Sequence, residues 1–172
     1  TLYMGSQYII KRSDGGKSWR IISPDLSSGD SSKIKTGNSG GLTPDNTGAE
    51  NFGTVYALDI SPLDKNMIWA GTDDGRLHVT ANDGNTWKLV NNNWPAEMKN
   101  LWIDRVVASA HNKQRAYSTV DGHRSNVFAP FIMMTEDGGK SWQSIVSNIP
   151  ATEVVRSFVE DTENANLLFA GT

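Results

Sequence analysis

Two short clusters carry the residue types that do chemistry: Asp73-Asp74-Gly75-Arg76 and Asp121-Gly122-His123-Arg124. Two carboxylates facing one another are what glycosidic-bond hydrolysis requires, about 5–5.5 Å apart for retention and about 6.5–9.5 Å for inversion. Asp73 or Asp74 opposite Asp121 is the pair this sequence offers for that role. The cations Arg76, His123 and Arg124 suit instead the binding of a polar ligand, a glycan or a protein segment. Each cluster also has a plain structural reading. Asp-Asp-Gly is first of all a turn, and Arg76 or Arg124 can simply pair with the acids across a surface. Tyr8, Trp94 and Trp102 can stack on sugars or pack a core.

Other chemistries find no support. The chain has no cysteine, so disulfides and thiolate sites are excluded. His78, His111 and His123 never fall at a ligand spacing, and no metal is expected. Asp45-Asn46 and Glu50-Asn51 lack the alternation of a calcium loop. Gly37–Gly41 has no Gly-Lys-Ser/Thr sequence to make a phosphate loop, and no cofactor is expected. Sixteen Lys and Arg against nineteen Asp and Glu give a net charge of −3, which argues against a nucleic-acid partner. No apolar run approaches the roughly 20 residues of a membrane-spanning helix. The length of 172 residues suits one domain or a piece of one, and the start at Thr1 reads as a processed or excised chain.

The elements that must position these clusters come from a repeat. Asp14-Gly15-Gly16-Lys17-Ser18-Trp19 returns as Asn82-Asp83-Gly84-Asn85-Thr86-Trp87 and as Asp137-Gly138-Gly139-Lys140-Ser141-Trp142. A second landmark, Leu2-Tyr3-Met4-Gly5-Ser6, recurs at Ile68–Thr72, Ala116–Val120 and Leu168–Thr172. The stretches between them alternate as short strands, with Tyr56, Leu58 and Ile60 on one face and Leu77 and Val79 opposed to Arg76, His78 and Thr80. Four short strands per roughly 50 residues is the signature of a β-propeller blade. The expected fold class is therefore all-β: four-stranded antiparallel blades, about three of them, forming part of a larger propeller or completed by self-association.

With strands a to d counted outward from the axis, the expected divisions are b–d of a partial blade in 1–26 and a polar inserted loop in 27–53. Full blades follow in 54–100 and 101–150, and strands a–b of another in 151–172. In each repeated turn Asp14, Asn82 or Asp137 can accept hydrogen bonds from the backbone beyond it. Gly16, Gly84 and Gly139 supply a positive φ, and Trp19, Trp87 and Trp142 lock the hairpin onto its blade. These residues read as structural. In the second copy Asn82 replaces the carboxylate, which suits an acceptor better than an acid.

The repeated turn resembles the Asp-box, or BNR repeat, of sialidases, xyloglucanases and sortilin-type receptors. Ile22–Leu26, Gly41–Asn51, Ile68–Thr80 and Tyr117–Pro130 further resemble bacterial sortilin-like proteins often labelled putative glycosyl hydrolases. The resemblance implies a large secreted or periplasmic propeller, with the remainder of that propeller as a partner. Some relatives act as assembly factors that bind a protein. A sialidase would also need an arginine cluster and a tyrosine nucleophile, which no motif here supplies. In such a fold the b-to-c loops, with Asp73, Asp74, Asp121, His123 and Arg124, share the face opposite the repeated turns. Loops of varied length on a rigid scaffold are where binding residues usually reside. The expected function is a ligand-presenting surface without chemistry of its own; the alternative is part of a glycoside hydrolase.

Overall fold

The computed structural model describes residues 1–31 and 52–172. The expectations placed on Gly37–Gly41, Asp45-Asn46 and Glu50-Asn51 lie outside the described residues. The strands are β1 (Leu2–Gly5), β2 (Ile9–Arg12), β3 (Arg20–Ile21), β4 (Val55–Ile60), β5 (Ile68–Thr72), β6 (Leu77–Thr80) and β7 (Lys88–Leu89). They continue as β8 (Trp102–Ala108), β9 (Ala116–Asp121), β10 (Ile132–Thr135), β11 (Gln143–Ser144), β12 (Ser157–Glu160) and β13 (Leu168–Gly171). Within each sheet, strands adjacent in sequence pair antiparallel. The result is four sheets, β1-β2-β3, β4-β5-β6-β7, β8-β9-β10-β11 and β12-β13.

Each hydrophobic core lies between two sheets. Ile9, Ile22 and Leu26 of the first sheet meet Ile68 and Ala70 of the second. Trp69 and Leu77 meet Ile103, Val106 and Met133 between the second and third. Tyr117 and Ile132 meet Val155 and Phe158 between the third and fourth. A sheet with a neighbour on both sides buries both faces, so the polar face of β6 is covered as well as the apolar one. Leu77 and Val79 are buried, but so are His78 and Thr80. Burial pulls the His78 imidazole down to about 4, with the Arg76 charge adding to the effect.

The inner strand β4 departs from its pattern for a different reason. Val55 pairs with Thr72 and Ala57 with Gly71, leaving Tyr56 as an extra residue. Such a bulge re-aims its side chain. Val55, Leu58 and Ile60 pack together toward the first sheet, while Tyr56 leaves their face and stands 55% exposed.

The Trp-terminated turns join β2 to β3, β6 to β7 and β10 to β11. Asp14 accepts from the Lys17 amide at 2.9 Å and the Ser18 hydroxyl at 2.7 Å. Asp137 accepts from the Ser141 amide at 2.9 Å and the Ser141 hydroxyl at 2.6 Å. Asn82 accepts from the Thr86 amide at 2.9 Å. These bonds, led by the Ser18 and Ser141 hydroxyls, hold the Asp14 and Asp137 carboxyls down at about 2. The indoles do more than hold their own hairpin. Trp87 Nε1–H donates to the Ile22 carbonyl and Trp142 Nε1–H to the Val90 carbonyl, both at 2.8 Å and both in the preceding sheet. Gly139, at φ +87°, lies so near that sheet that an added Cβ would stand 2.8 Å from the Val90 Cβ. The turn is thus a clasp between sheets. Trp19 differs in remaining 43% exposed, its ring beneath the Arg12 guanidinium at 5.4 Å.

Candidate functional site

The opposite ends of the blades hold the candidate residues. In the β5–β6 turn, Asp73 is buried and accepts from the Gly53 and Thr54 amides, each at 2.8 Å, and from the Thr54 hydroxyl at 3.1 Å. Burial nonetheless pushes its carboxyl up, and those bonds recover only part of the cost. Asp74 accepts from the Ser28 amide at 2.6 Å and from the Thr72 hydroxyl. Ser28 and Gly53 lie near the two ends of the 27–53 segment, so the two acids tie that segment to the turn. Arg76 lines a separate cavity of about 350 Å³ with Asp74, Asn91, Trp94 and Asn100.

Asp121, closing β9, is bound differently. It accepts from the His123 amide at 2.9 Å, contacts the imidazole Nδ1 at 2.7 Å and receives Arg156 Nη1 at 2.5 Å. Burial pushes its carboxyl up, but the His123 bonds and the Arg156 charge prevail and hold it below the usual range. Arg124 stands 3.8 Å from Asp121 and lays its guanidinium 4.0 Å over the Trp102 ring. Trp102 meets Tyr56 edge to face at 5.1 Å between centroids. His123, Arg124 and Asp121 are therefore brought together, with Trp102 added.

Sequence reasoning missed three residues here. Tyr56, Asp104 and Arg156 each directly precede the residue paired with Gly71, Thr119 and Gly171, so three successive inner strands present them at one register. Asp104 is the second bulge residue, skipped between Ile103 and Arg105. Its Oδ2 is buried without a hydrogen-bond partner, although Arg105 Nε lies 4.0 Å away. Burial pushes the Asp104 carboxyl up, Arg105 opposes this and the Asp121 charge reinforces it. The acid that senses Asp121 is thus Asp104. A cavity of about 300 Å³ lies between the inner strands, lined by Tyr56, Ala57, Leu58, Asp104, Arg105 and Val106. The only signal in the sequence was the Trp-Ile-Asp-Arg run at 102–105, whose bulge no spacing announces. Among the described residues no group of three His, Asp or Glu side chains is placed to hold a metal ion.

No protein-family model matches the chain. No curated protein matches it either. Among solved structures it superposes on an ancestral GH74 enzyme with a TM-score of 0.65, over 98% of this chain and 20% of that one, at 22% identity. The fold is that of β-propeller blades. A GH74 enzyme from Niastella koreensis matches with a TM-score of 0.52 over 90% of this chain and 21% of that one, at 14% identity. YCF48 bound to D1 peptide matches at 0.50, over 88% of this chain and 38% of that one, with 17% identity. The propeller likeness thus holds across both groups, and the chain spans about one fifth of the two enzymes' length. Among the described residues no helix is long and apolar enough to cross a membrane.

Proposed function

We propose that this chain is a non-catalytic part of a secreted or periplasmic BNR-repeat propeller, with its Asp-box turns as structural clasps and its opposite rim binding a glycan. Its divisions are the partial blade 1–26, the inserted loop 27–53, full blades 54–100 and 101–150, and strands 151–172. The observation that carries this reading is the state of the nominated acids. Asp73, Asp74 and Asp121 all spend their oxygens on amides, hydroxyls or cations of their own scaffold. A carboxylate so engaged is a poor general acid or base. The rim also holds an aromatic pair, exposed Tyr56 and half-buried Trp102, with Arg124 laid over the Trp102 ring and His123 held on Asp121. Flat apolar rings next to a few fixed polar groups are a pattern that suits a sugar ring.

Titration calorimetry against a panel of polysaccharides and sialosides tests this. Binding by the unaltered chain is expected, weakened about tenfold or more in Trp102→Ala and in Arg124→Ala, which is about 1.4 kcal/mol. Unchanged affinity in both variants would remove this rim from consideration. A protein ligand would show itself by binding lost in the same variants with no response to any glycan. The hydrolase reading has one observation of its own: Asp104, with a raised carboxyl and an unbonded oxygen beside the inner cavity. Turnover of a polysaccharide abolished by Asp104→Asn would establish that reading over the first.

A further inference from the structure

Arg76 stands apart from the other arginines. Arg12 bonds the Gly16 carbonyl, Arg20 pairs with Asp83, Arg105 with Asp104, Arg115 with Glu136, and both Arg124 and Arg156 with Asp121. The Arg76 side chain is half-buried, yet among the described residues it has no hydrogen bond, ion pair or ring contact. A guanidinium drawn out of water without a partner costs free energy that a bound anion would recover. Arg76 lines the cavity of about 350 Å³ between the β5–β6 turn and the linker from β7 to β8. Lys99 lines it too, and its ammonium likewise has no partner among the described residues. The one carboxylate in the wall, Asp74, is engaged by the Ser28 amide and the Thr72 hydroxyl. Glu97, the acid of the linker, is not part of the wall. Positive charge is therefore in excess, beside an apolar wall of Leu89, Trp94 and Met98.

The walls hold their shape without a ligand. Asn91 Oδ1 accepts from the Leu77 amide at 3.0 Å, and its Nδ2 donates to the Gly75 carbonyl at 2.9 Å. Gly75, at φ +86°, brings the turn so near the linker that an added Cβ would stand 2.7 Å from the Asn100 Cα. The cavity belongs to the second sheet, which has a neighbour on both sides. We propose that it binds a sugar acid, a uronate. Arg76 takes the carboxylate in its planar fork, and Lys99 adds a second charge. The Asn92 and Asn100 amides meet the hydroxyls, and the apolar wall meets the ring. The volume falls within the range of small-molecule sites, about 300–1,000 Å³. This cavity is separate from the Tyr56–Trp102 rim, so the proposal stands whether or not that rim binds a glycan.

Titration calorimetry of the full chain with glucuronate, glucose and inorganic phosphate tests it. Glucuronate should bind, with glucose and phosphate each about tenfold weaker or more. Arg76→Gln should weaken glucuronate about tenfold or more, and Arg76→Lys less, since lysine keeps the charge and loses the fork. The Arg76 side chain holds nothing in place, so circular dichroism should show both variants folded. Magnetic resonance of the histidine rings locates the ligand. The Arg76 charge lowers the titration of His78, so glucuronate bound there should move that titration to higher pH and leave His123, at the rim, unmoved. The proposal is overturned by an absence of glucuronate binding, by glucose or phosphate binding as tightly, by unchanged affinity in Arg76→Gln, or by a response confined to His123.

Discussion

The two ends of each blade obey opposite rules. At the Trp-terminated turns the same residues return in the same geometry, down to the 2.8 Å indole bonds of Trp87 and Trp142 to the sheet before. At the other end the geometry returns and the residues do not: one register holds Tyr56, then Asp104, then Arg156. Repetition of both backbone and side chain is what a packing problem solved several times produces. Repetition of backbone alone leaves each side chain free to answer to something other than packing, and that contrast supports placing ligand contacts at the second end.

The contrast is broken most directly by removing an indole. Trp142→Ala should lower stability by about 3–5 kcal/mol in urea unfolding, because it empties a site between two sheets. Trp102→Ala should cost less than about 1 kcal/mol in the same assay. Equal losses would erase the distinction between the two ends. Gly139→Ala comes next, at about 1–3 kcal/mol, since a Cβ there both strains a positive φ and crowds Val90. Gly15→Ala is the control: its φ is also positive, but nothing lies within 4 Å of the added atom, so the smaller loss measures backbone strain alone.

Acid titration sharpens the same comparison. The His78 imidazole falls from an ordinary 6.5 to about 4 in the folded chain, so the unfolded chain takes up the proton first. Stability should decline as pH drops from about 6.5 to about 4, and His78→Gln should flatten that stretch of the curve. Asp14 and Asp137, held at about 2, act lower down. Their contribution is present above the ordinary carboxyl value of 3.8 and is lost as pH falls from there to about 2. Asp104 has the reverse sign: its raised carboxyl favours the protonated folded state, so stability from this group falls as pH rises through the ordinary carboxylate range. Asp104→Asn should therefore leave stability at neutral pH unchanged or slightly higher, the smallest effect of the set. A large loss in that variant would show Asp104 to be a scaffold group like Asp73.

Much of the fold was legible because its signals are local. A turn of the form Asp-x-Gly-x-Ser-Trp needs only its own residues to bond Asp137 to the Ser141 amide, so the motif and the hairpin are visible together. The candidate site was legible only where it also sits in a loop, as His123 and Arg124 do. Tyr56 and Asp104 were hidden because a bulge is a mismatch between two strands, and neither strand alone records it.

The sequence by itself determined the small antiparallel sheets, the turns that close them and the absence of thiol chemistry, since each follows from residues near one another in the chain. Tertiary structure alone decided that the indoles reach across to the preceding sheet and that polar His78 is buried. It also decided that Asp121 meets Arg156 from the next sheet and that Asp104 is left with an unbonded oxygen. Those outcomes depend on which sheet lies beside which, and burial, bonding and charge at such contacts belong to the pair of surfaces rather than to either segment.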